Sequence, residues 1–356
     1  MVYTLNHLGV FPELADHAVG GIQLSGRRAW DAIKQRSVQQ SQKAWLFCFG
    51  RQLSRQLPDP DTVFYATSRA QAIRTAVSRR WQADNVLIWH IALLRLLPFF
   101  RIPATNVRLF LHGIEIWRCH DPLTRLLLPR VNCFLSNSQY TWQRFLKYYP
   151  QLAGKAHQTV HLGVARPCNQ ISVPEKLPAA LILSRLARSE DYKGHRELID
   201  AWPLLLRHIP DARLWIAGDG DLRPDLEQLV SERSLEEHIQ FFGRVSEEQK
   251  QDLLARCRCF AMPSRGEGFG LVYLEAMRLG RPCLVSDCDA GREVINPPEV
   301  GLAVDPDNQN SLVAALLRLL KSGSEWEHWS IQAQQRYERQ FTAQHFQRRL
   351  LEAFDL

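Results

Sequence analysis

Residues 259–275 have the sequence CFAMPSRGEGFGLVYLE, and this stretch decides the fold prediction. The first five residues are apolar, as in a buried parallel strand, whereas the apolar residues from Leu271 onward are spaced as in a helix. The glycine-rich turn between them leads into a helix N-terminus, where unpaired backbone N–H groups and the helix dipole favour an anion. The pattern predicts a strand, an anion-accepting turn and a helix.

Two glutamates belong to this stretch. Glu267 lies on the turn and Glu275 about one helical turn inside the helix, so both carboxylates are expected at the same mouth of the sheet. Carboxylates accept hydrogen bonds from two hydroxyl donors, which suits the vicinal hydroxyls of sugars. On spacing alone, a helix-capping Glu267 and a solvated Glu275 explain the pattern equally well.

The same alternation of short apolar runs and longer amphipathic stretches extends over the whole chain and is typical of parallel strands covered by helices. At 356 residues the chain is long enough for two domains. The rhythm lapses in the polar, proline-containing stretch 165–178, ARPCNQISVPEKLP, where we place the boundary. The candidate strands are Ala44–Gly50, Thr62–Ala66, Val86–His90, Val107–His112, Cys133–Asn137, Ala180–Ser184, Arg213–Gly218, Ile239–Gly243, Cys259–Pro263 and Pro282–Ser286.

We therefore predict an α/β protein with two doubly wound, Rossmann-like domains. The N-terminal domain spans residues 1–168 and the C-terminal domain residues 169–335. Residues 336–356 are basic and amphipathic and are predicted to form a C-terminal helical segment.

Composition excludes several classes of protein. A hydrophobic fraction of 46% with 23% charged residues is that of a globular protein. The chain has no apolar run of about 18 residues and no recognisable secretion signal, which predicts a cytoplasmic protein. Its net charge of +7 suits phosphate-bearing ligands, an anionic membrane surface or nucleic acid. Because no nucleic-acid-binding signature accompanies the charge, nucleic acid is not an expected partner.

No metal site is predicted. The eight cysteines are scattered, and Cys257 and Cys259 lack the second pair that a zinc site needs, so we expect reduced thiols. D-x-D triplets suggest a divalent cation, but four copies in varied contexts are better explained by turns, which favour Asp beside Gly or Pro. These triplets are Asp59/Asp61, Asp219/Asp221, Asp287/Asp289 and Asp305/Asp307.

Further polar residues follow predicted strands. In the stretch 182–202, Arg185 comes directly after a strand and Lys193 precedes a helix, so the two cations are placed to offset the charge of a diphosphate. Ordinary surface charge is the alternative. His112 ends a strand at the edge where open α/β sheets bind ligands. Gly20 and Gly21 offer small residues beside which a ligand can approach the backbone.

The stretch 263–295, PSRGEGFGLVYLEAMRLGRPCLVSDCDAGREVI, closely resembles the E-x7-E region of retaining GT-B glycosyltransferases. This family, glycosyl transferases group 1, includes sucrose synthases and many bacterial mannosyl- and glucosyltransferases. The resemblance implies two Rossmann-like domains facing each other across a cleft, with the last helix packing back on the first domain. It further implies that Glu267 contacts the transferred sugar and that Glu275 holds the ribose of the donor.

The resemblance also assigns roles outside the glutamate pair. Arg185 and Lys193 match the diphosphate-binding cations, and His112 matches a histidine that points to the sugar. The implied donor contacts are Gly20, Gly21, Arg244, Val245, Gly268, Phe269, Gly270 and Leu271. One element departs from the family: the interdomain N-G-V-D motif is Leu162-Gly163-Val164-Ala165 here, which puts any ligand contact at that point in doubt.

The implied reaction is transfer of a hexose, with retention of configuration, from a UDP- or GDP-linked sugar to a hydroxyl of a glycan, glycolipid or lipid-linked acceptor. No cofactor and no protein nucleophile are expected. Two alternatives stay open: a nucleotide-sugar epimerase of the same fold, and a catalytically silent relative that binds a glycan or a partner. A phosphorylase of the same plan would need the lysine and motifs of a pyridoxal-phosphate site in a far longer chain, and these are not apparent. The basic surface is compatible with peripheral association at the inner face of the membrane.

Overall fold

The computed structural model describes residues 6–14, 20–50, 62–78, 81, 83–100, 102, 106–164 and 173–354. The chain forms two compact units: Met1–Gly163 together with Ala343–Leu356, and Val164–Thr342. The predicted boundary after residue 168 falls outside the described residues, as do Ala165, Cys168 and the Asp59/Asp61 triplet.

The first unit is built on a parallel sheet of order β3-β2-β1-β4-β5-β6-β7. The central strand β1 pairs with both β2 and β4, and its His7 lies opposite Ala44 on one side and Asn85 on the other. The strand order reverses between β1 and β4, which makes this the point where such sheets bind ligands. The strands are β1 (His7–Pro12), β2 (Ala44–Phe49), β3 (Val63–Ala66), β4 (Asn85–Ile88), β5 (Asn106–Leu111), β6 (Cys133–Ser136) and β7 (Ala156–Thr159).

Polar side chains start three of the helices that follow these strands. Ser68, Asp121 and Ser138 each accept a backbone N–H from the first turn, at 3.2, 3.2 and 3.0 Å. Each of these residues is of a type that favours the N-cap position of a helix. The helices are α1 (Gly21–Gln39), α2 (Arg69–Val77), α3 (Pro122–Leu127) and α4 (Gln139–Tyr148), and a 3₁₀ segment covers Ile91–Phe99.

The second unit repeats the plan with the order β10-β9-β8-β11-β12-β13, and the order reverses between β8 and β11. Its strands are β8 (Ala179–Leu183), β9 (Arg213–Ala217), β10 (Ile239–Gly243), β11 (Cys259–Met262), β12 (Cys283–Ser286) and β13 (Gly301–Val304). Its helices are α5 (His195–Leu206), α6 (Arg223–Glu232), α7 (Glu247–Arg256), α8 (Leu271–Arg278), α9 (Gly291–Ile295), α10 (Gln309–Leu320) and α11 (Ser324–Gln340).

The strands of both sheets are largely apolar and buried. Each residue of β4, β11 and β12 is buried, as expected of parallel strands covered by helices on both faces. The prediction of two Rossmann-like, doubly wound domains is confirmed. Among the described residues, no helix combines the length and the apolar character needed to cross a membrane.

The C-terminal segment is divided between the units. Helix α11 belongs to the second unit, and the last helix, α12 (Ala343–Phe354), belongs to the first. Phe341 and Thr342, which link α11 to α12, run beside Val164. Val164 forms a parallel bridge with Thr342, and its N–H donates to the Phe341 carbonyl at 3.1 Å. Residues 336–342 therefore belong to the second unit and not to the predicted separate segment.

Three strands were not predicted. β7 (AHQT) is a polar edge strand, β1 (HLGVFP) is interrupted by glycine and ends in proline, and β13 (GLAV) is an edge strand that begins with glycine. Each lacks the run of β-branched and aromatic residues on which the prediction of the other strands depended.

Candidate active site

The charged residues predicted in the second unit lie where its strand order reverses. Arg185 and Lys193 follow β8, and Glu267 follows β11, the strand that pairs with β8 in parallel. Because the carboxyl ends of adjacent parallel strands share one edge of the sheet, the fold brings these residues together across about 80 positions of sequence.

Lys193 is the centre of an ionic cluster. Its Nζ lies 3.0 Å from Glu190 Oε2 and 3.5 Å from Glu267 Oε1. The guanidinium of Arg185 contacts the other oxygen of Glu190. The side chains of Lys193 and Glu267 are each only 16% exposed, whereas Arg185 extends into solvent at 77%. Glu190, which the sequence analysis did not single out, thus holds both predicted cations.

The charge of Lys193 is sustained by its neighbours. Burial acts to lower the pKa of its ammonium, but the carboxylates of Glu267 and Glu190 outweigh burial and raise that pKa above its ordinary value. Lys193 is therefore a cation at neutral pH. A partly buried cation at a strand edge is suited to stabilise a negative charge that develops on a phosphate.

Two glycines with positive φ shape the turns that hold these groups. Gly194 has a φ of +93°, and a Cβ there would lie 2.8 Å from the Pro263 ring, so only glycine lets the Lys193 loop approach the end of β11 this closely. Gly270 has a φ of +82°, and a Cβ there would lie 2.4 Å from the Tyr273 ring. The Tyr273 hydroxyl donates to the Met262 carbonyl at 2.8 Å and so ties α8 to β11.

The predicted backbone contacts lie at the N-terminus of α8. Gly268 and Phe269 are buried, Gly270 is the N-cap residue and Leu271 begins the helix. The first N–H groups of a helix have no partner within it, and the helix dipole adds positive potential at this end. The segment from Gly268 to Leu271, which is predicted to contact the donor, thus lies at a helix end that favours an anion.

Glu275 is held by a lysine that the sequence analysis missed. Lys250 Nζ on α7 lies 2.8 Å from Glu275 Oε1 and 2.9 Å from Glu247 Oε2. The side chains of Glu275 and Lys250 are 14% and 16% exposed, so Glu275 is not a solvated surface residue. Burial acts to lower the pKa of Lys250, but Glu275 and Glu247 raise it above its ordinary value.

Asp289 connects the Glu267 turn to α9. One carboxylate oxygen accepts the N–H of Glu267 at 3.2 Å and the other accepts the N–H of Gly291 at 2.8 Å. The Ala290 N–H donates in turn to the Glu267 carbonyl at 3.1 Å. Asp289 is 3% exposed, and burial together with the nearby charge of Glu267 raises its pKa well above the ordinary value. It thereby fixes the backbone that presents Glu267.

The other described D-x-D triplets act in turns. Asp219 accepts the N–H of Gly220 at 3.0 Å, Asp221 accepts the N–H of Arg188 at 2.8 Å, and Asp305 accepts the N–H of Asp307 at 2.9 Å. Within the described part of the chain, no group of three or more His, Cys, Asp or Glu side chains is placed to hold a metal ion.

Arg244 and Val245 follow β10 at the same edge of the sheet. The carbonyl of Gly243 accepts the N–H of Gly218 at 2.8 Å, and Arg244 is exposed just beyond it. Because β10 is separated from β8 only by β9, the two predicted base-binding residues share the strand edge that carries Arg185.

His112 in the first unit is a buried, neutral histidine. It follows β5, is 7% exposed, and its ring lies near those of Trp89 and Phe110. Its Nε2 lies 2.7 Å from the Trp89 carbonyl and must carry the proton, which leaves Nδ1 as an acceptor. Burial lowers the pKa of His112 to about 3. Glu115 accepts the N–H groups of His112 and Gly113 at 2.8 and 3.1 Å and closes this turn.

Gly20 and Gly21 lie at the start of α1, which follows the central strand β1. Gly20 is the N-cap residue, its φ of 178° is open to any residue, and a Cβ there would meet only the flexible end of Gln23. The backbone itself therefore does not require glycine at position 20. What the pair contributes is a small surface at the N-terminus of a helix.

Each unit contains a parallel, doubly wound sheet, and two such Rossmann-like units in one chain are the architecture of the GT-B fold. Residues 169–336 match the family model described as Glycosyl transferases group 1. A solved structure described as a glycosyltransferase from Rickettsia africae superimposes with a TM-score of 0.76 at 17% identity, over 99% of this chain and 98% of that chain.

Two relatives in sequence carry more specific names. The chain is 38% identical over 135 residues to a phosphatidyl-myo-inositol mannosyltransferase of Mycobacterium leprae, an alignment that covers 37% of this chain and 35% of the relative. It is 27% identical over 282 residues to a GDP-mannose-dependent monoacylated alpha-(1-6)-phosphatidylinositol monomannoside mannosyltransferase of Corynebacterium glutamicum, with 73% of each chain covered. The aligned part thus spans about a third of the first relative and about three quarters of the second.

Proposed function

We propose that this protein is a retaining glycosyltransferase that moves a hexose from a nucleotide-diphosphate sugar to a hydroxyl of a glycolipid or other lipid-linked acceptor. The observation that carries the proposal is the contact of Lys193 with Glu267 where the strand order of the second sheet reverses. In this proposal Lys193 binds the phosphate and Glu267 binds the sugar, and the contact between the two side chains supports that pairing of roles. The names of the two relatives favour GDP-mannose as the donor to test first and an inositol phospholipid as the acceptor.

In this proposal each part of the site binds one part of the donor. Arg185 and Lys193 neutralise the diphosphate, the backbone of Gly268, Phe269, Gly270 and Leu271 meets the sugar and phosphate, and Glu267 holds sugar hydroxyls. Glu275 accepts the ribose hydroxyls while Lys250 orients its carboxylate. Arg244 and Val245 meet the base, and Gly20 and Gly21 let the backbone approach the diphosphate.

The bond between the anomeric carbon and the β-phosphate oxygen breaks, and a bond from the same face of the sugar to the acceptor oxygen forms. The acceptor proton passes to the departing phosphate oxygen, so no protein nucleophile is needed. Arg185, Lys193 and the N-terminus of α8 stabilise the negative charge that grows on the leaving group. Nδ1 of His112 accepts a sugar hydroxyl in the transition state.

We propose further that the reaction needs neither a cofactor nor a metal ion, because Arg185 and Lys193 supply the positive charge beside the diphosphate. We place the reaction in the cytoplasm, with the acceptor at the inner face of the membrane. Activity measured after treatment with EDTA tests whether the reaction requires a divalent metal ion. Unchanged turnover is expected, and a loss that Mg²⁺ or Mn²⁺ restores would contradict this part of the proposal.

Thermal unfolding in the presence of a panel of UDP- and GDP-sugars identifies the donor, because a ligand that binds only the folded state raises its stability. We expect GDP-mannose to raise the Tm most. Incubation of that donor with and without phosphatidylinositol, followed by product analysis, then separates the alternatives. Conversion of the donor alone indicates an epimerase. A protein that no nucleotide sugar stabilises is a silent relative.

The stereochemical course is tested on the product itself. The anomeric configuration of the transferred sugar, read by NMR, is expected to equal that of the donor. Inversion of that configuration would contradict the retaining mechanism, but it would not contradict the identity of the donor.

A further inference from the structure

The first unit has an exposed apolar face formed by two helices and the 3₁₀ segment that lies between them in the chain. Helices α2 and α3 both pack against the 3₁₀ segment Ile91–Phe99. Ile73 and Val77, one turn apart on α2, are 37% and 36% exposed, and Leu123 and Leu126 on α3 are 46% and 67% exposed. Large apolar side chains this exposed, and repeated on two neighbouring helices, mark a surface that meets something apolar.

A cavity opens on this face. It has a volume of about 410 Å³, and its apolar lining includes Ile73, Leu96, Phe99 and Leu123. Arg69 and Arg95 also line it. An apolar ligand can therefore contact the walls of this cavity as well as the exposed side chains of the two helices. We call the surface formed by α2, Ile91–Phe99 and α3 the apolar–arginine face.

The charge of this face is positive. The sequences of α2 and α3 contain Arg69, Arg74 and Arg125, all exposed, and no acidic residue. The acidic residue that precedes α3, Asp121, is engaged by Arg95 and by the Thr124 hydroxyl. An apolar surface rimmed by arginines has the composition of a helix surface that lies in the interface of an anionic bilayer.

Charge argues against a second copy of the chain as the occupant. In a two-fold dimer the same patch faces itself, so the arginines of one copy would meet the arginines of the other. An anionic lipid surface supplies both the opposite charge and the apolar phase. Of the two, only the lipid surface complements the face in charge and in polarity.

We propose that the apolar–arginine face docks the protein on an anionic phospholipid bilayer. The proposal goes beyond the transfer reaction, because it states which surface meets the membrane, and it draws only its biological purpose from the lipid-linked acceptor proposed above. Docking itself needs neither donor nor turnover.

Co-sedimentation of the full chain with vesicles tests the proposal, using phosphatidylcholine alone and phosphatidylcholine mixed with phosphatidylglycerol. Binding is expected to the mixed vesicles and to weaken as salt is added. Leu123→Asp is expected to weaken the binding about tenfold, since a leucine side chain then no longer enters the apolar phase. Arg69→Ala and Arg74→Ala are each expected to weaken it about fivefold.

Ile331→Asp is the matched control. Ile331 lies on α11 in the second unit and is 46% exposed, the same as Leu123, so the two substitutions add the same charge at equally open positions. Ile331→Asp is expected to leave vesicle binding unchanged. Equal losses for Leu123→Asp and Ile331→Asp, or no loss for Leu123→Asp and Leu126→Asp, would overturn the proposal.

Two further measurements keep the outcomes distinct. Thermal stabilisation by the donor is expected to be the same in all variants, so a failure of the proposed transfer reaction does not alter the vesicle result. Light scattering reports the oligomeric state. A dimer that Leu123→Asp dissociates, with vesicle binding unchanged, would assign the face to self-association and refute membrane docking.

Discussion

The two units share one plan of parallel strands but differ in the chemistry placed at the edge of the sheet. In the second unit the central residues are charged and paired, Lys193 with Glu267 and Lys250 with Glu275. In the first unit the corresponding residues are a neutral histidine and two glycines. Under the proposed function, recognition of the charged donor is therefore concentrated in the second unit, while the first contributes neutral contacts. Substitutions in the two units should therefore affect different kinetic quantities.

Lys193 offers the strongest test of that contrast. Lys193→Met removes the cation beside Glu267 and is expected to lower kcat about 1,000-fold, because stabilisation of the leaving phosphate is lost. Lys193→Arg should retain part of the activity. The measurement is initial-rate kinetics with the identified donor. The control is Lys321→Met, an exposed lysine of the same unit, and equal effects at both positions would contradict the assigned role.

His112 tests the neutral side of the comparison. His112→Ala is expected to lower kcat about 100-fold, the range seen when a positioned polar group is lost, and to leave nucleoside-diphosphate affinity unchanged. Because burial lowers the pKa of His112 to about 3, the wild-type rate should show no inflection from this group between pH 5 and 9. Weaker nucleotide binding by His112→Ala would contradict the proposal that the first unit does not contribute to nucleotide affinity. His208→Ala, at an exposed position, is the control.

Glu275 sharpens the assignment within the second unit. Glu275→Gln is expected to weaken nucleoside-diphosphate binding about tenfold, as for the loss of one charged hydrogen-bonding contact. Calorimetry with a nucleoside diphosphate and its 2′-deoxy form measures the ribose contact directly. The wild type should prefer the ribose form, and both Glu275→Gln and Lys250→Met should reduce that preference. If only Glu275→Gln does so, Lys250 does not orient the carboxylate. Glu248→Gln on the exposed face of α7 is the control.

Asp289 gives the smallest effect, on stability. Its folded-state pKa lies well above the unfolded value of about 3.9. A raised pKa in an acid means that its contribution to stability is present below the unfolded pKa and is lost as pH rises through the folded pKa. Relative to Asp289→Asn, the wild type should therefore lose up to about 1.4 kcal/mol of unfolding free energy per pH unit in that window.

Denaturant titrations at a series of pH values measure this difference for Asp289→Asn. Asp287→Asn, two residues earlier and exposed, is the matched control for the loss of a carboxylate in this turn. A constant difference between the wild type and Asp289→Asn across the series would show that Asp289 does not titrate differently in the folded protein.

Much of the fold was predictable because the central strands are apolar and regularly spaced. The edge strands β7 and β13 and the glycine-containing β1 escaped, since their residues do not reveal whether a sheet continues beside them. In the site, the motif identified Glu267 and Glu275, but their partners Lys250 and Asp289 belong to other strand–helix connections. Such partners meet only through the tertiary fold. An aspartate in the short connection between a strand and a helix, as at Asp289 between β12 and α9, was the available signal.

Helix α12 follows the second unit in sequence but belongs to the first unit, and this has a consequence for protein synthesis. Phe346 and Leu350 of α12 are buried in the first unit, and the buried Arg108 of β5 donates from Nε to the carbonyl of Ala353 at 2.9 Å. Translation delivers those residues only after the whole of Val164–Thr342 has emerged, and domains tend to fold as they leave the ribosome. The first unit therefore begins to be synthesised before the second, but its core is completed only after the second unit has been made.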